Sequence, residues 1–563
     1  FTPVQSRPGP DGALWVVDLA RPVIEHPRWI PPERLARLNV RAGDDLGRIF
    51  RVSRKGAPLR PIRDLTRLGL EDLVAALETP NGVARDLVHL ELLFRDARAA
   101  VPLLDRLFRA SQLPPVRVQV LALIEAFGGN SAERLQSALR DSHPGVRRFA
   151  IALSERFLRA PSPLDESMAS LVDDSDLGVR TQLAFSLGEW HDAANGARLL
   201  GTLAGRDLDN TWLRAAVASS ATKDPVGILK LVMAAPQNDA AKGQLAADLC
   251  KTAVAGSAPL DTIFEVVAPR THKIAGSHLI ALAGLQDALD ARKVDLATYD
   301  ARSKPGVAAA LAAIARAYAE APAVATDASA QLPERQAAIR LLSRGFGRFE
   351  TTLPLLISFL DGAADNLLMQ SAVEMLRRSA SPQVPAILVK KWAQFPPSLR
   401  STVIDILCSR DAWVAPFLSA LERGDISVAS IPAANRQRLL QQSPPDLQRR
   451  AKTLFQATTT KNRRQVIGQY KSVHGLKGDP ERGVKVFNTA CTACHVFVGT
   501  TGVGPALGNY RNKNIDDFLV AILDPNAAIE PRYSAYAVTL KDGRGLAGVI
   551  SEESGASLTL TMP

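Results

Sequence analysis

The sequence predicts a mainly α protein. A long stack of helical hairpins leads into a small α-helical domain, with short β segments near both ends. Three observations carry this. Helical apolar periodicity, as in Leu70-Glu71-Asp72-Leu73-Val74-Ala75-Ala76-Leu77, dominates from about residue 64 to 470. A turn signal followed by a helix with an early arginine recurs, with arginines at 85, 117, 147, 180 and 214, spaced 32, 30, 33 and 34 residues apart. Aromatic residues make up only 5% of the 563 residues, whereas large β-sandwiches spend more on strand pairing.

Composition narrows the function classes. A hydrophobic content of 46% against 22% charged residues is a globular balance and argues against wholesale disorder. Four cysteines cannot form a disulfide scaffold. The net charge of +11 is local: from Arg436 to Lys471 nine Lys/Arg stand against the single acid Asp446. A nucleic-acid-binding domain spreads its basic charge over a larger face, so nucleic acid is not an expected partner. No uncharged apolar run of about 18 residues is visible, so no transmembrane helix is expected. The chain starts at Phe1 and stops at Met562-Pro563 inside a strand-like pattern, which reads as a fragment at both ends.

Residues 1–53 read as β structure. The turn signal Gly9-Pro10-Asp11-Gly12 precedes the strand Ala13 to Asp18, and a second strand runs from Gly47 to Val52. Two strands are marginal alone, so this is the end of a larger β domain. The repeats follow over 64–440. They include Pro114-Pro115-Val116-Arg117, Asp141-Ser142-His143-Pro144-Gly145-Val146-Arg147 and Asp173-Asp174-Ser175-Asp176-Leu177-Gly178-Val179-Arg180. Thirty to thirty-five residues hold two helices and their turns, and such hairpins bury their apolar faces only by stacking. The head of the second helix resembles HEAT repeats, with a shorter period. The stack reads equally as a protein-docking surface or a rigid spacer. Between about 250 and 330 the helical pattern persists but its register is lost. Residues 441–477 read as a basic helical linker. Their charge is either a solvated face or electrostatic guidance for an acidic partner or haem propionates.

Chemistry concentrates in 478–563. Cys491-Thr492-Ala493-Cys494-His495 is a C-x-x-C-H motif. Two thiols on one turn can add to the two vinyl groups of one haem, and the following histidine then binds the iron. A zinc site needs a second Cys/His pair, and Cys250 and Cys408 lie far off as separate core residues. A thioredoxin-like dithiol needs a βαβ context that this region lacks. Upstream, Phe487 lies four residues before Cys491 on a short helix. Downstream, Gly504-Pro505-Ala506-Leu507 resembles the G-P-x-L segment of small c-type cytochromes. That match implies that the Pro505 carbonyl orients His495 and that Leu507 packs on the haem. The helix Asp516 to Leu523 closes against the first and ends at Asp524-Pro525. For the distal iron ligand, Met562 is the only methionine after His495, and His474 is a remote alternative.

The whole order resembles the multidomain haem-binding cytochromes of planctomycetes and verrucomicrobia. In these a glucose/sorbosone-dehydrogenase-like β-propeller precedes HEAT-like repeats and a C-terminal cytochrome c domain. The residues that carry the match are Gly9 to Asp18, Val23-Ile24-Glu25-His26-Pro27, Ala42 to Val52, Gly478-Asp479-Pro480-Glu481-Arg482-Gly483, the C-x-x-C-H and Leu523-Asp524-Pro525. The resemblance implies a remnant propeller over 1–53 and a truncated cytochrome over 478–563 with a C-terminal β insertion; Glu25 and His26 are read as structural at the propeller's end, the alternative being part of a propeller active site. The resemblance further implies one covalent haem c on Cys491 and Cys494, with His495 proximal and the distal ligand supplied by a Met-Pro pair further downstream, which speaks against Met562 as that ligand. The expected function is periplasmic electron transfer to a redox partner, with electrons from a sugar- or alcohol-type dehydrogenase domain mostly outside the chain. The alternative is an interaction scaffold with a sensory or structural haem.

Overall fold

The computed structural model describes the chain apart from residues 1–2, 22–38, 40, 57, 59, 237–238, 272, 300–304, 362–364, 380, 442–443, 459–460, 493, 498–502, 511–513, 525–532, 534, 541–544, 554–557 and 562–563. Glu25, His26 and Met562 therefore lie outside the described residues. The chain divides into two compact units, Phe1–Ala258 and Pro259–Pro563. The division falls inside the helical region that the sequence reads as continuous.

Unit one begins with a three-stranded antiparallel sheet in the order β1 (Pro3–Pro8), β2 (Leu14–Asp18) and β3 (Arg48–Val52). The last two strands match the sequence reading. β1 escapes it because prolines at both its ends and a polar Gln5-Ser6-Arg7 middle hide the alternation. Gly9 is fixed by packing: a Cβ there would lie 2.3 Å from Trp15 Nε1. Asn81 ties the sheet to the helices. Its Nδ2 donates to the carbonyls of Gly9 (2.9 Å) and Pro10 (3.1 Å), while its Oδ1 caps the next helix through Ala84 N–H.

Among the described residues twelve α-helices follow in unit one: α1 (Leu70–Ala75), α2 (Gly82–Phe94), α3 (Val101–Ala110), α4 (Pro114–Ala126), α5 (Ala132–Leu139), α6 (Pro144–Ser154), α7 (Asp165–Ser170), α8 (Leu177–Ser186), α9 (Ala193–Arg206), α10 (Thr211–Ser220), α11 (Pro225–Ala234) and α12 (Asp239–Ala255). Helices α2, α4, α6, α8, α10 and α12 form one layer, each packed on the next of the set. Packing between elements two apart in the chain is the signature of stacked hairpins, a HEAT-like α-solenoid.

The repeated arginine has a structural cause. The residues one before and three after it point into the core: Val116 and Val120, Val146 and Ala150, Val179 and Leu183, Leu213 and Val217 are all fully buried. The arginine itself points back along the stack. At each of these five positions one guanidinium N–H donates to the carbonyl six residues earlier: Arg85 to Thr79, Arg117 to Ser111, Arg147 to Asp141, Arg180 to Asp174 and Arg214 to Leu208. The central three also grip an aspartate at the start of the next repeat. Arg117 meets Asp141 (2.8 Å), Arg147 meets Asp174 through two bonds (both 2.7 Å), and Arg180 meets Asp207 through two (2.7 and 2.6 Å). Asp141 and Asp174 thus bond one arginine through the side chain and the next through the backbone.

Unit two continues with α13 (Leu260–Val267), α14 (Gly276–Ala291), α15 (Pro305–Thr326), α16 (Leu332–Leu341), α17 (Phe349–Ser358), α18 (Asn366–Arg378), α19 (Val384–Lys390), α20 (Pro397–Leu407), α21 (Asp411–Arg423), α22 (Ala433–Gln441) and α23 (Pro445–Thr458). Here α13 packs on α15, α14 on α16, α16 on α18, α18 on α20, α19 on α21 and α21 on α23. The ion pairs lose their regular spacing. Arg344 bridges Asp287 (2.8 Å) and Asp290 (2.7 Å), and Arg378 also reaches Asp290 (3.1 Å). The long helices α14 and α15 explain the lost register between 250 and 330. One of them differs from the sequence expectation: α15 is long and apolar enough to cross a membrane by length and composition. Its apolar face, including Val307, Ile314, Ala317 and Tyr318, is buried against its neighbours.

The stretch read as a basic linker is partly core. α23 packs on α21 and α22 and buries Leu447 and Ala451. Arg436 is half-buried over the Phe455 ring, 5.8 Å from its centroid, and burial lowers its pKa. Arg450 pairs with Glu422. Beyond α23 come α24 (Lys461–Tyr470), α25 (Pro480–Ala490) and α26 (Ile515–Leu523). The antiparallel sheet β4 (Ala535–Thr539), β5 (Gly545–Glu553) and β6 (Leu558–Thr561) follows.

Candidate functional site

The C-x-x-C-H segment sits at the C-terminal end of α25. Pro480 occupies the first turn, and the Asp479 carboxylate caps it by accepting from Glu481 and Arg482 N–H, both at 3.1 Å. The helix stops at Cys491, whose N–H donates to the Phe487 carbonyl at 2.9 Å. A tight turn follows, in which the N–H groups of Cys494 (3.2 Å) and His495 (2.9 Å) both donate to the Cys491 carbonyl. This turn brings both half-exposed cysteines and His495 together.

The chain then returns alongside itself. Leu507 N–H donates to Val496 O and Gly508 N–H to Phe497 O, each at 2.8 Å. This pairing places the Pro505 carbonyl 2.9 Å from His495 Nδ1. A carbonyl only accepts, so Nδ1 carries the proton and donates, and Nε2 keeps its lone pair. Gly504 makes the approach possible. A Cβ there would lie 2.7 Å from Cys494 O and 2.8 Å from His495 Cε1, so any side chain forces a shift. The sequence places Gly504 in the G-P-x-L segment, and its role, to let the backbone approach the His495 ring, appears in the fold.

Cys491, Cys494, His495, Pro505 and Leu507 thus lie in one cluster, with half-buried Phe487 a helical turn before Cys491. The sequence places α26 against α25, whereas its main partner is α24. Arg463 of α24 donates to the Leu523 carbonyl at 2.9 Å, and His474 Nε2 lies 3.0 Å from Asp516. His474 is therefore engaged with a carboxylate.

The donor set fits a covalently held haem. It offers two thiols one turn apart, an imidazole with a fixed tautomer and a presentable Nε2, and apolar neighbours. Val484, Val486 and Phe497, which flank the motif, are all more than half exposed. Among the described residues no group of three or more His, Cys, Asp or Glu could hold a metal ion by side chains alone.

The other two cysteines differ. Burial pushes the Cys250 thiol up to about 12 and the Cys408 thiol up to about 11. In haem-free native protein at pH 8, Cys491 and Cys494 are expected to react with a thiol reagent while Cys250 and Cys408 react more than about 100-fold slower. Mass spectrometry of the labelled peptides checks this. Labelling of all four at one rate contradicts it.

Fold and site define a helical-repeat chain that carries a C-x-x-C-H segment near its end. The family model "Domain of unknown function (DUF7133)" matches residues 1–56. No curated protein matches the sequence. Among solved structures, a mutant of Kap121p is similar at 14% identity and a TM-score of 0.39, over 72% of this chain and 46% of that one. Kap121p bound to RanGTP is similar at 14% identity and a TM-score of 0.36, over 72% and 50%. The chain spans about half the length of these structures.

Proposed function

We propose that this chain is an exported electron-transfer module with one covalent haem c, carried on a HEAT-like stack. The observation that carries this reading is the hydrogen bond between His495 Nδ1 and the Pro505 carbonyl beside two thiols on one turn. A bound haem c supplies a one-electron iron couple. Cys491 and Cys494 would hold it as thioethers, and His495 would present Nε2 to the iron. Pro505 fixes the ring and strengthens its basicity, and Gly504 keeps the loop close. Leu507 and Phe487 would offer the haem apolar neighbours.

Covalent attachment is made after export, so the module is periplasmic. On the resemblance to dehydrogenase-linked cytochromes, the N-terminal sheet belongs to a propeller that oxidises a sugar- or alcohol-type substrate, and a redox partner takes the electrons. On the same resemblance the distal ligand comes from a Met-Pro pair further downstream, and Met562 is the alternative within the given sequence.

Production with a c-type maturation system tests the reading. The expected result is one haem per chain that survives acid–acetone extraction and shows a pyridine haemochrome spectrum. Failure to retain haem removes the proposal. A five-coordinate haem that takes up carbon monoxide supports the alternative of a scaffold with a sensory haem, whereas a low-spin spectrum supports electron transfer.

A further inference from the structure

The first repeat carries a histidine where the later ones carry an apolar residue. Four places after the repeated arginine stand Leu121, Ile151, Ala184 and Ala218 in α4, α6, α8 and α10, the first three fully buried. In α2 that place is taken by His89. Its ring is half-buried, and among the described residues its solvent-shielded Nδ1 has no hydrogen-bond partner. A neutral imidazole tolerates this, because Nδ1 holds a lone pair while Nε2 carries the hydrogen. An imidazolium donates from both nitrogens, and a buried donor without an acceptor is costly. Burial accordingly holds the His89 pKa below its ordinary 6.5, against the pull of Asp86 three residues earlier.

The other charges around α2 are engaged elsewhere or exposed. On α2 itself Arg85 bonds Thr79 and Gln119, Glu91 pairs with Arg95, and Asp86 accepts from Gln119 Nε2 at 3.0 Å. The elements packed against it are α1, α4 and the turn Leu65–Arg67. There Arg117 pairs with Asp141, Glu125 with Arg156 and Arg67 with Asp64, while Glu71 and Asp72 are exposed. The same helix holds the N-terminal sheet. Its cap, Asn81, donates to the carbonyls of Gly9 and Pro10. Just before it, Thr79 Oγ1 accepts from Arg60 Nη1 (3.0 Å), and Arg60 N–H donates to the Asp11 carbonyl (3.2 Å). α2 is also the first helix of its layer, and the ends of a stack open most readily.

We infer that His89 is an acid-sensitive catch between the sheet and the stack: when its ring takes up a proton, α2 loosens and its hold on Gly9 and Pro10 is released. At pH 7.5 the ring is neutral in both the packed and the opened helix, so opening gains nothing from protons. Below about pH 6.5 the opened ring binds the proton before the packed one does, which favours opening. The catch belongs to the repeat stack and does not depend on haem at Cys491 and Cys494.

Hydrogen exchange of the full chain at pH 7.5 and 5.5, corrected for intrinsic rates, tests this. Peptides covering α2 and β2 should lose protection at least about threefold at pH 5.5, while α8 keeps its own. His89→Leu, which restores the residue type of the later repeats, should abolish that loss. His143→Asn, at an exposed histidine of another repeat, should behave as the parent does. The inference is overturned if the parent is equally protected at both pH values, or if His89→Leu keeps the loss. It is equally overturned if His143→Asn abolishes the loss, or if α2 loosens while β2 stays protected. Circular dichroism at pH 7.5 confirms that the variants fold.

Discussion

A chain carrying Cys491→Ser and Cys494→Ser is expected to retain no covalent haem after production with a c-type maturation system. Each thioether needs its own sulfur, and a serine hydroxyl does not add to a vinyl group under these conditions. The single variants should retain less haem than the parent. Changes that leave both thiols intact separate attachment from ligation. With His495→Ala the thiols can still be alkylated, but Nε2 is gone, so the visible spectrum should change more than the haem content. Gly504→Val tests the second layer. Its Cβ would stand 2.8 Å from His495 Cε1 and 2.7 Å from Cys494 O, which must push the Pro505 carbonyl off Nδ1. Weaker donation by His495 is expected to raise the reduction potential, while Gly504→Ala, with less bulk, should shift it less. A Gly504→Val protein with unchanged haem content, spectrum and potential would falsify the role given to this loop.

Arg180→Ala is expected to cost unit one about 3 kcal/mol, the size typical of breaking a buried ion pair by deleting one partner. The Arg180 side chain is 7% exposed, and its loss leaves the Asp207 carboxylate and the Asp174 carbonyl without their donor. Arg180→Lys should recover only part, because an ammonium cannot make the two-pronged contact. Joint replacement by Arg180→Met and Asp207→Leu should come close to the parent, since the uncompensated charge disappears. Hydrogen exchange of the full chain, read on peptides covering α8 and α10, resolves the change where a single melting curve of a many-repeat chain does not. Equal protection in parent and Arg180→Ala would remove the argument.

The same rungs set an acid limit. Burial by itself raises the pKa of Asp174. Hydrogen bonds from Arg147 and the Asp176 N–H outweigh it, so the carboxyl sits below its ordinary 3.8. A carboxylate depressed by folding stabilises fully above its unfolded value. That stability is lost as pH falls through the lower, folded value. Protection of α6 and α8 should therefore be flat above about pH 4 and decline below it.

Much of this was legible from residues. The arginine at 85, 117, 147, 180 and 214 marked the repeat, because its flanking apolar positions must face the core whatever the partner. Its purpose was not legible. Asp141 and Asp174 reach their arginines from 24 and 27 residues away, and nothing local distinguishes them from a helix cap. The strand Pro3–Pro8 was hidden by prolines that an edge strand tolerates. The basic run 441–477 looked solvated because charge shows in a sequence, while the burial of Leu447 and Ala451 against another hairpin does not. At the site, the C-x-x-C-H spacing is local chemistry and was read directly. The role of Gly504 was not, because it appears only when the chain folds back onto the His495 ring.

The ladder also dictates how the first unit should come apart. Asp141 and Asp174 each serve two arginines, so opening a middle repeat breaks rungs on both of its sides. At the ends the ladder is weaker: Arg85 reaches the neutral Gln119 at 3.2 Å, and Arg214 has a carbonyl partner. Such an array unzips from its ends inward, and its centre is the last part to yield.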